Sequence, residues 1–160
     1  MIKQIKRENI PECVSVIRES FMTVADELKL SAETSLGFTG FSISEERLYW
    51  QYDNEKRPMF AYFINEKIVG YYSLLILDNN ECELNNLAVL PYHRHRKIGE
   101  ELLKDSFSRA RELNIRKMKI SIVEENVKLR KWYEKHNFIH TETKKLDQFA
   151  FICGYMEIDL

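Results

Sequence analysis

The residues best equipped for chemistry lie in one short run, His93-Arg94-His95-Arg96-Lys97-Ile98-Gly99. It follows the strand-like Leu87-Ala88-Val89-Leu90-Pro91 and precedes the helix-like Glu100-Glu101-Leu102-Leu103. A cationic turn from a strand into a helix suits a phosphate group. The first N–H groups of a helix have no partner within it and point outward along the positive end of its dipole. Arg and Lys side chains add charge, and Gly99 lets the backbone approach a ligand closely. His93 and His95 stand two residues apart with no third or fourth ligand nearby in the sequence, so no metal site is expected there.

The elements that must position this run can be read from periodicity. Ile2 to Ile5 reads as a short strand, and Pro11 suits the first turn of a helix whose apolar face is Val14, Ile17, Phe21, Val24 and Leu28. Residues 31 to 43 are rich in Ser and Thr with two glycines. Ser42 with Glu45 then reads as a capping box opening a short helix through Leu48 and Tyr52. Met59 to Ile64, Lys67 to Leu77 and Glu81 to Leu90 read as three strands of an antiparallel meander, with turns at Asn65-Glu66 and Asp78-Asn79-Asn80. Ile98, Leu102, Phe107, Ala110 and Leu113 follow helical spacing, whereas Met118, Ile120 and Ile122 alternate as in a strand. Strand, helix, strand in this order requires a crossover, so the sheet is expected to be mixed. Val127 to His136 reads as a last helix, and Phe138 to Lys145 with Phe149 to Ile158 as a closing hairpin.

Length and composition bound what this arrangement can do. A chain of 160 residues, 44% hydrophobic and 31% charged, fits a single domain over residues 1–160 with a full core. The net charge of −1 makes the basic run a local feature and argues against a nucleic-acid binder. Cys13, Cys82 and Cys153 are odd in number and widely spaced, which suggests reduced thiols and a cytoplasmic protein. No apolar run is long enough for a signal peptide or membrane span. The aromatic residues Tyr49, Trp50, Tyr52, Phe60, Tyr62, Tyr71 and Tyr72 are expected to fill core more than to line a pocket.

The order of elements, with the cationic turn after the fourth strand, resembles the GNAT family of acetyl-CoA-dependent N-acetyltransferases. The family's Gln/Arg-x-x-Gly-x-Gly/Ala motif falls on Arg94-His95-Arg96-Lys97-Ile98-Gly99, with Lys97 in place of the first Gly. Asn126-Val127-Lys128-Leu129-Arg130-Lys131-Trp132-Tyr133-Glu134-Lys135-His136-Asn137-Phe138 is similar to the family's Asn-x-x-Ala-x-x-x-Tyr-Glu-x-x-Gly-Phe segment. Leu129 replaces Ala there and Asn137 replaces Gly, the latter tolerable because Asn also reaches positive φ. The Cβ of Lys97 disfavours positive φ, so this loop is expected to curl less tightly than the family's, with the ammonium compensating in part.

This resemblance implies an α/β (α+β) fold with a mixed, mostly antiparallel sheet of six to seven strands flanked by about four helices. It implies an N-acetyltransferase that uses acetyl-CoA and no metal, and acts by direct transfer onto a primary amine of a small molecule or peptide. By the same resemblance Leu87, Ala88, Val89, Arg94, His95, Arg96, Lys97, Ile98 and Gly99 hold the cofactor, and Asn126 bonds its pantetheine arm or caps a helix. Glu83 is the candidate base, Glu81 its reserve on the same strand face. A backbone N–H near Val89 faces the oxyanion, and Tyr133 protonates the leaving thiolate. The family also implies a homodimer. A non-catalytic acyl-CoA-binding or regulatory module is the alternative, and it predicts binding without turnover.

Overall fold

The computed structural model describes residues 1–30 and 43–160. The Ser/Thr/Gly-containing segment 31–42, including the expected capping residue Ser42, lies outside the described residues. Helix α1 spans Ile10–Glu27 with Pro11 in its first turn, where a missing N–H costs nothing. Helix α2, Glu45–Asp53, is capped by Ser44, whose hydroxyl accepts from the Arg47 N–H at 3.1 Å. The cap therefore sits two residues later than the sequence pattern of Ser42 and Glu45 implies, and Glu45 is the first helical residue.

Three strands follow as expected: β2 (Met59–Ile64), β3 (Lys67–Ile76) and β4 (Glu81–Val89), with β1 (Ile2–Gln4) pairing antiparallel to β2. The turns work because asparagine tolerates left-handed backbone. Asn65 and Glu66 have φ of 48° and 67°, and Asn79 and Asn80 have 61° and 59°, the paired positive values that match strand twist in tight hairpins. Helix α3 (Ile98–Glu112) crosses over to β5 (Lys117–Val123), which lies parallel to β4. Helix α4 (Val127–Lys135) and the hairpin β6 (Ile139–Lys145) and β7 (Ile152–Asp159) complete the chain. The sheet has seven strands in the order β1-β2-β3-β4-β5-β7-β6, mixed only at the β4/β5 junction.

Both long helices bury one stripe against this sheet, and each face has its own core. On one face Leu102, Leu103 and Ala110 of α3 and Tyr133 of α4 pack with Tyr72, Leu74, Met118 and Ile120. On the other, Cys13, Val14 and Ile17 of α1 pack with Met59, Ala61, Ile68 and Tyr71. Of the aromatic residues, Phe60, Tyr71 and Tyr72 are buried in these cores, whereas Trp50 is half exposed. A third, small cluster joins Val123, Phe151 and Cys153 to Leu28 and Leu30 beyond the end of α1. Among the described residues, no helix is long and apolar enough to cross a membrane.

The C-terminal ends of α3 and α4 are closed by asparagines. At the end of α4 the Phe138 N–H bonds to Tyr133 O at 3.1 Å and the Asn137 N–H to Glu134 O at 3.0 Å, with Asn137 at φ 72°. This is the Schellman arrangement, and it bears out the expectation that Asn137 reaches positive φ where glycine is usual. Asn114 does the same after α3, with φ 59°.

Candidate active site

The site begins where two parallel strands part. The β4–β5 ladder runs from Glu81↔Lys117 to Glu83↔Lys119 and stops there, while β5 continues along β7 to Val123↔Cys153. Beyond Glu83, β4 is bent by a bulge. Its pairing with β3 jumps from Ser73↔Asn85 to Tyr71↔Ala88, so that two residues, Asn86 and Leu87, oppose Tyr72 alone. Asn86 takes φ 53° to make this possible. A bulge adds twist and re-aims a strand, and here it turns the end of β4 away from β5 and leaves a gap in the sheet. The Leu90 N–H donates to Val69 O at 2.9 Å. By the alternation of an antiparallel ladder, the N–H and C=O of Val89 then face the gap instead of β3.

Glu83 lies at the inner end of this gap, partly buried, and pairs with Leu75 of β3. Its Oε1 accepts from Asn85 Nδ2 at 3.2 Å. Glu81, its neighbour on the same face, is bound to Lys119 Nζ at 2.6 Å, and this contact pushes the Lys119 ammonium above its ordinary range. The two carboxylates are therefore not equivalent, since Glu81 is held by a cation and Glu83 by an amide.

The cationic run closes the outer end of the gap. Pro91–His93 form a single 3₁₀ turn, after which His95 and Lys97 both adopt left-handed backbone, with φ of 61° and 64°. The expectation of a looser curl at Lys97 is thus corrected. Lys97 takes the conformation that glycine takes more freely and serves as the N-cap residue of α3. A Cβ in that region costs about 1–2 kcal/mol, which the contacts on either side of the loop offset. Lys97→Gly relieves this cost but adds about 0.5–1 kcal/mol of chain entropy. The expected outcome is a Tm equal to or slightly above that of the wild type, as read by thermal unfolding.

Ile98, Gly99 and Glu100 form the first turn of α3, and the first intrahelical bond is Glu101 N–H to Lys97 O at 2.9 Å. The N–H groups before Glu101 are those a helix leaves for an anion. Arg96 and Lys97 are exposed beside them. The acidic Glu100 is drawn off by Lys104, one turn along, at 2.7 Å, which holds its carboxyl below the ordinary range. Gly99 faces a space. A Cβ built on it would meet nothing closer than Val89 Cγ2 at 3.7 Å and Trp132 Cζ2 at 3.8 Å. No packing demand explains a missing side chain there, and the slot between strand β4 and helix α4 fits an extended ligand beside the helix start.

Arg94 differs from its neighbours. Its side chain turns toward α1, donating to Val89 O, Thr23 Oγ1 and Ser20 O. Burial lowers its pKa, with Glu27 opposing that shift.

Helix α4 supplies the far wall. Asn126 caps it, its Oδ1 accepting from the Leu129 N–H at 3.2 Å, so the capping role is present and the Nδ2 group remains for a ligand. Tyr133 is 6% exposed and packs edge-on to Trp132 and Phe138, with centroids 5.0 and 5.1 Å away. Desolvation raises its pKa well above the ordinary phenol value, so it stays protonated and keeps a proton to donate. The start of α4 is tied to the sheet edge by Glu124, which bonds Arg130 Nη1 at 2.8 Å and His140 Nε2 at 2.9 Å. Gly154 makes room for it, since a Cβ there would lie 2.1 Å from Glu124 Oε2.

Leu87, Ala88, Val89, His95, Arg96, Lys97, Ile98 and Gly99 thus gather around the gap and the helix start, with Glu83 at the gap's inner end. Paired residues of a sheet share a face, so Glu83 lies with Leu75 and Lys119 on the α1 face, while Tyr133 packs with Met118, Ile120 and Ile122 on the opposite face. Sequence reasoning missed Trp132 as the wall opposite Gly99 and the bulge at Asn86. The second had a signal, because two adjacent asparagines inside a strand are a depleted pair. Of the Ser- and Thr-rich segment 31 to 43, Ile43 alone lies among the described residues, and it is buried.

A family model described as "Acetyltransferase (GNAT) family" matches residues 25–138, well over half of the sequence. The chain belongs to this family. Over a shorter stretch the chain is similar to an uncharacterized N-acetyltransferase of Bacillus methanolicus, 34% identical over 55 residues, which cover 34% of this chain and 46% of that protein. The match therefore spans less than half of that relative. Among solved structures, the PaiA N-acetyltransferase of Thermoplasma acidophilum, in complex with coenzyme A, superposes with a TM-score of 0.79 at 22% identity, covering 100% of this chain and 98% of that one. The ribosomal-protein-S18-alanine N-acetyltransferase of Escherichia coli gives 0.76 at 14% identity, covering 99% and 92%. At such identities these two establish the GNAT fold.

Proposed function

We propose that this protein transfers the acetyl group of acetyl-CoA directly to a primary amine. The observation that carries the proposal is the gap between β4 and β5, closed at its mouth by a cationic loop with two left-handed residues and an open helix start, in a chain of this family. The N–H groups of residues 97 to 100 hold the diphosphate, with Arg96 and Lys97 offsetting its charge. The slot between Gly99, Val89 and Trp132 admits the pantetheine arm, and Asn126 Nδ2 bonds it. The coenzyme A complex of the Thermoplasma relative supports this reading by its shared fold.

Acetyl-CoA supplies an activated carbonyl carbon to which the amine nitrogen bonds as the C–S bond breaks. Glu83 accepts the proton the nitrogen must lose. The Val89 N–H donates to the carbonyl oxygen as negative charge builds there. Tyr133, on the opposite sheet face, donates to the departing sulfur. An amine arriving on the α1 face thus meets its base there, while the leaving group exits toward α4. Direct transfer is favoured over an acyl-enzyme because the thiols are inert: burial pushes Cys13 and Cys82 up to about 12 and raises Cys153 as well. The alternative, a non-catalytic acyl-CoA-binding module suggested by Lys97 in place of the motif glycine, would hold the cofactor through the same loop and differ only in turnover.

The proposal is tested by thermal unfolding with acetyl-CoA, followed by turnover over polyamines, amino acids, aminoglycosides and peptides. Saturating ligand at a hundredfold excess over Kd is expected to add about 2.7 kcal/mol of stability. No shift would remove the cofactor assignment, and a shift without turnover across the panel would favour the binding module. Tyr133→Phe is expected to lower kcat by about 100-fold with the KM for acetyl-CoA nearly unchanged, the lower end of acid catalysis. A phenol whose pKa lies far above a thiol's gives up its proton only partly. Unchanged kcat would clear Tyr133 of this role.

A further inference from the structure

We propose that Arg94 is a positioning residue that braces the cofactor loop against helix α1, and not a ligand of the diphosphate. The inference rests on the reading of residues 94–99 as the CoA cradle and concerns how that cradle is held. Each of the three guanidinium nitrogens already donates to a protein oxygen. Nε bonds Val89 O at 3.2 Å, Nη1 bonds Thr23 Oγ1 at 2.9 Å and Nη2 bonds Ser20 O at 2.7 Å. Thr23 Oγ1 in turn donates to Ser20 O at 2.9 Å, closing a triangle on one turn of α1. The fork shape of guanidinium makes such a three-way contact possible, and a lysine ammonium cannot reproduce it.

Arg96 and Lys97, by contrast, are exposed beside the helix start. The charge in the loop therefore divides into two jobs. Arg96 and Lys97 face the anion, and Arg94 joins the end of β4, the loop and α1 into one unit. Because Val89 is the residue whose backbone faces the gap, the brace fixes at once the oxyanion-facing strand end and the start of the loop. A loop held in its binding shape before the ligand arrives loses less entropy on binding, which suits a loop containing two left-handed residues that carry side chains. The brace also ties the cofactor loop to α1, the helix whose C-terminal end leads into the Leu28, Leu30, Phe151 cluster on the acceptor face. A change on α1 is thus expected to be felt in cofactor binding.

The test is calorimetric titration of coenzyme A, over a series of salt concentrations, into the wild type and the variants Arg94→Lys, Arg94→Gln, Thr23→Val, Thr23→Ser and Arg96→Gln. Bracing predicts that Arg94→Lys and Arg94→Gln weaken binding alike, by about 10-fold. Thr23→Val, uncharged and on α1, is expected to weaken it by about 3-fold and to add nothing in the Arg94→Gln background, while Thr23→Ser restores the wild-type value. Salt dependence should survive in the Arg94 variants and fall in Arg96→Gln, because only a charge facing the anion is screened against it. A wild-type Kd in Arg94→Lys, together with a reduced salt slope in Arg94→Gln and no effect of Thr23→Val, would make Arg94 a phosphate ligand and overturn the proposal. If the Arg94 variants do not fold, the Thr23 pair decides, since equal binding by Val and Ser overturns it. A wild type that fails to bind coenzyme A defeats the cofactor reading itself, whereas tight wild-type binding with Thr23→Val unaffected defeats only the brace.

Discussion

Glu83→Gln is expected to lower kcat/KM by about 10²- to 10⁴-fold, the range for loss of a positioned general base. A primary amine has a pKa near 10, so close to neutrality it is mostly protonated, and its nitrogen becomes strongly acidic once bonded to the carbonyl carbon. A carboxylate at the inner end of the gap gives that proton a destination within the site. The glutamine variant is a sharp test because it keeps the shape and an oxygen for Asn85 Nδ2, so the local hydrogen bond at 3.2 Å can persist while the charge is lost. Glu81→Gln supplies the contrast. Glu81 is already bound to Lys119, so its loss is expected to leave kcat within a few-fold of wild type. Equal activity of wild type and Glu83→Gln would move the base elsewhere.

Leu102→Ala should remove about 2–5 kcal/mol of stability, the cost of truncating a fully buried leucine whose cavity cannot collapse. Leu102 is 0% exposed and stands one turn past the cofactor loop. The α3–sheet interface there is close. A Cβ built on Gly70 would lie 2.8 Å from Leu102 Cδ1 and 3.1 Å from Ala88 O. Gly70 therefore lets α3 sit directly on β3, and Leu102 fills what Gly70 leaves. At roughly 2–4 °C per kcal/mol for a domain of this size, the Tm should fall by about 4–20 °C in a thermal melt. Leu113→Ala, at the C-cap of the same helix but 49% exposed, is expected to change stability by less than about 0.5 kcal/mol. A destabilisation as small as that for Leu102→Ala would mean that α3 is not held by this contact.

Features set by neighbours along the chain were legible in the sequence. The apolar stripe of α1, the alternation of Met118, Ile120 and Ile122, and the asparagines that turn the β2–β3 and β3–β4 hairpins all depend on residues within a few positions. The strands and helices accordingly fall within three residues of the expected ends. Lys97 marks where local reasoning went astray. Its Cβ does disfavour positive φ, but a penalty of about 1–2 kcal/mol is small beside the contacts that anchor the loop at both ends, and the backbone adopts φ 64° regardless. The displaced cap at Ser44 has a similar origin, because Ser42 and Ser44 both offer local caps and burial of Ile43 and Leu48 selects between them.

By itself, then, the sequence determined the elements, their order, the cationic strand-to-helix turn and the two motifs that point to acetyl transfer. Tertiary structure alone decided where β4 leaves β5, that Glu83 and Tyr133 occupy opposite faces, that Trp132 stands across the slot from Gly99, and that Arg94 reaches back to residues 71 and 74 positions away. The reason is physical. Periodicity and turn chemistry are encoded over a few residues, whereas the partner of a long charged side chain and the opening of a sheet depend on which distant segments the fold brings together.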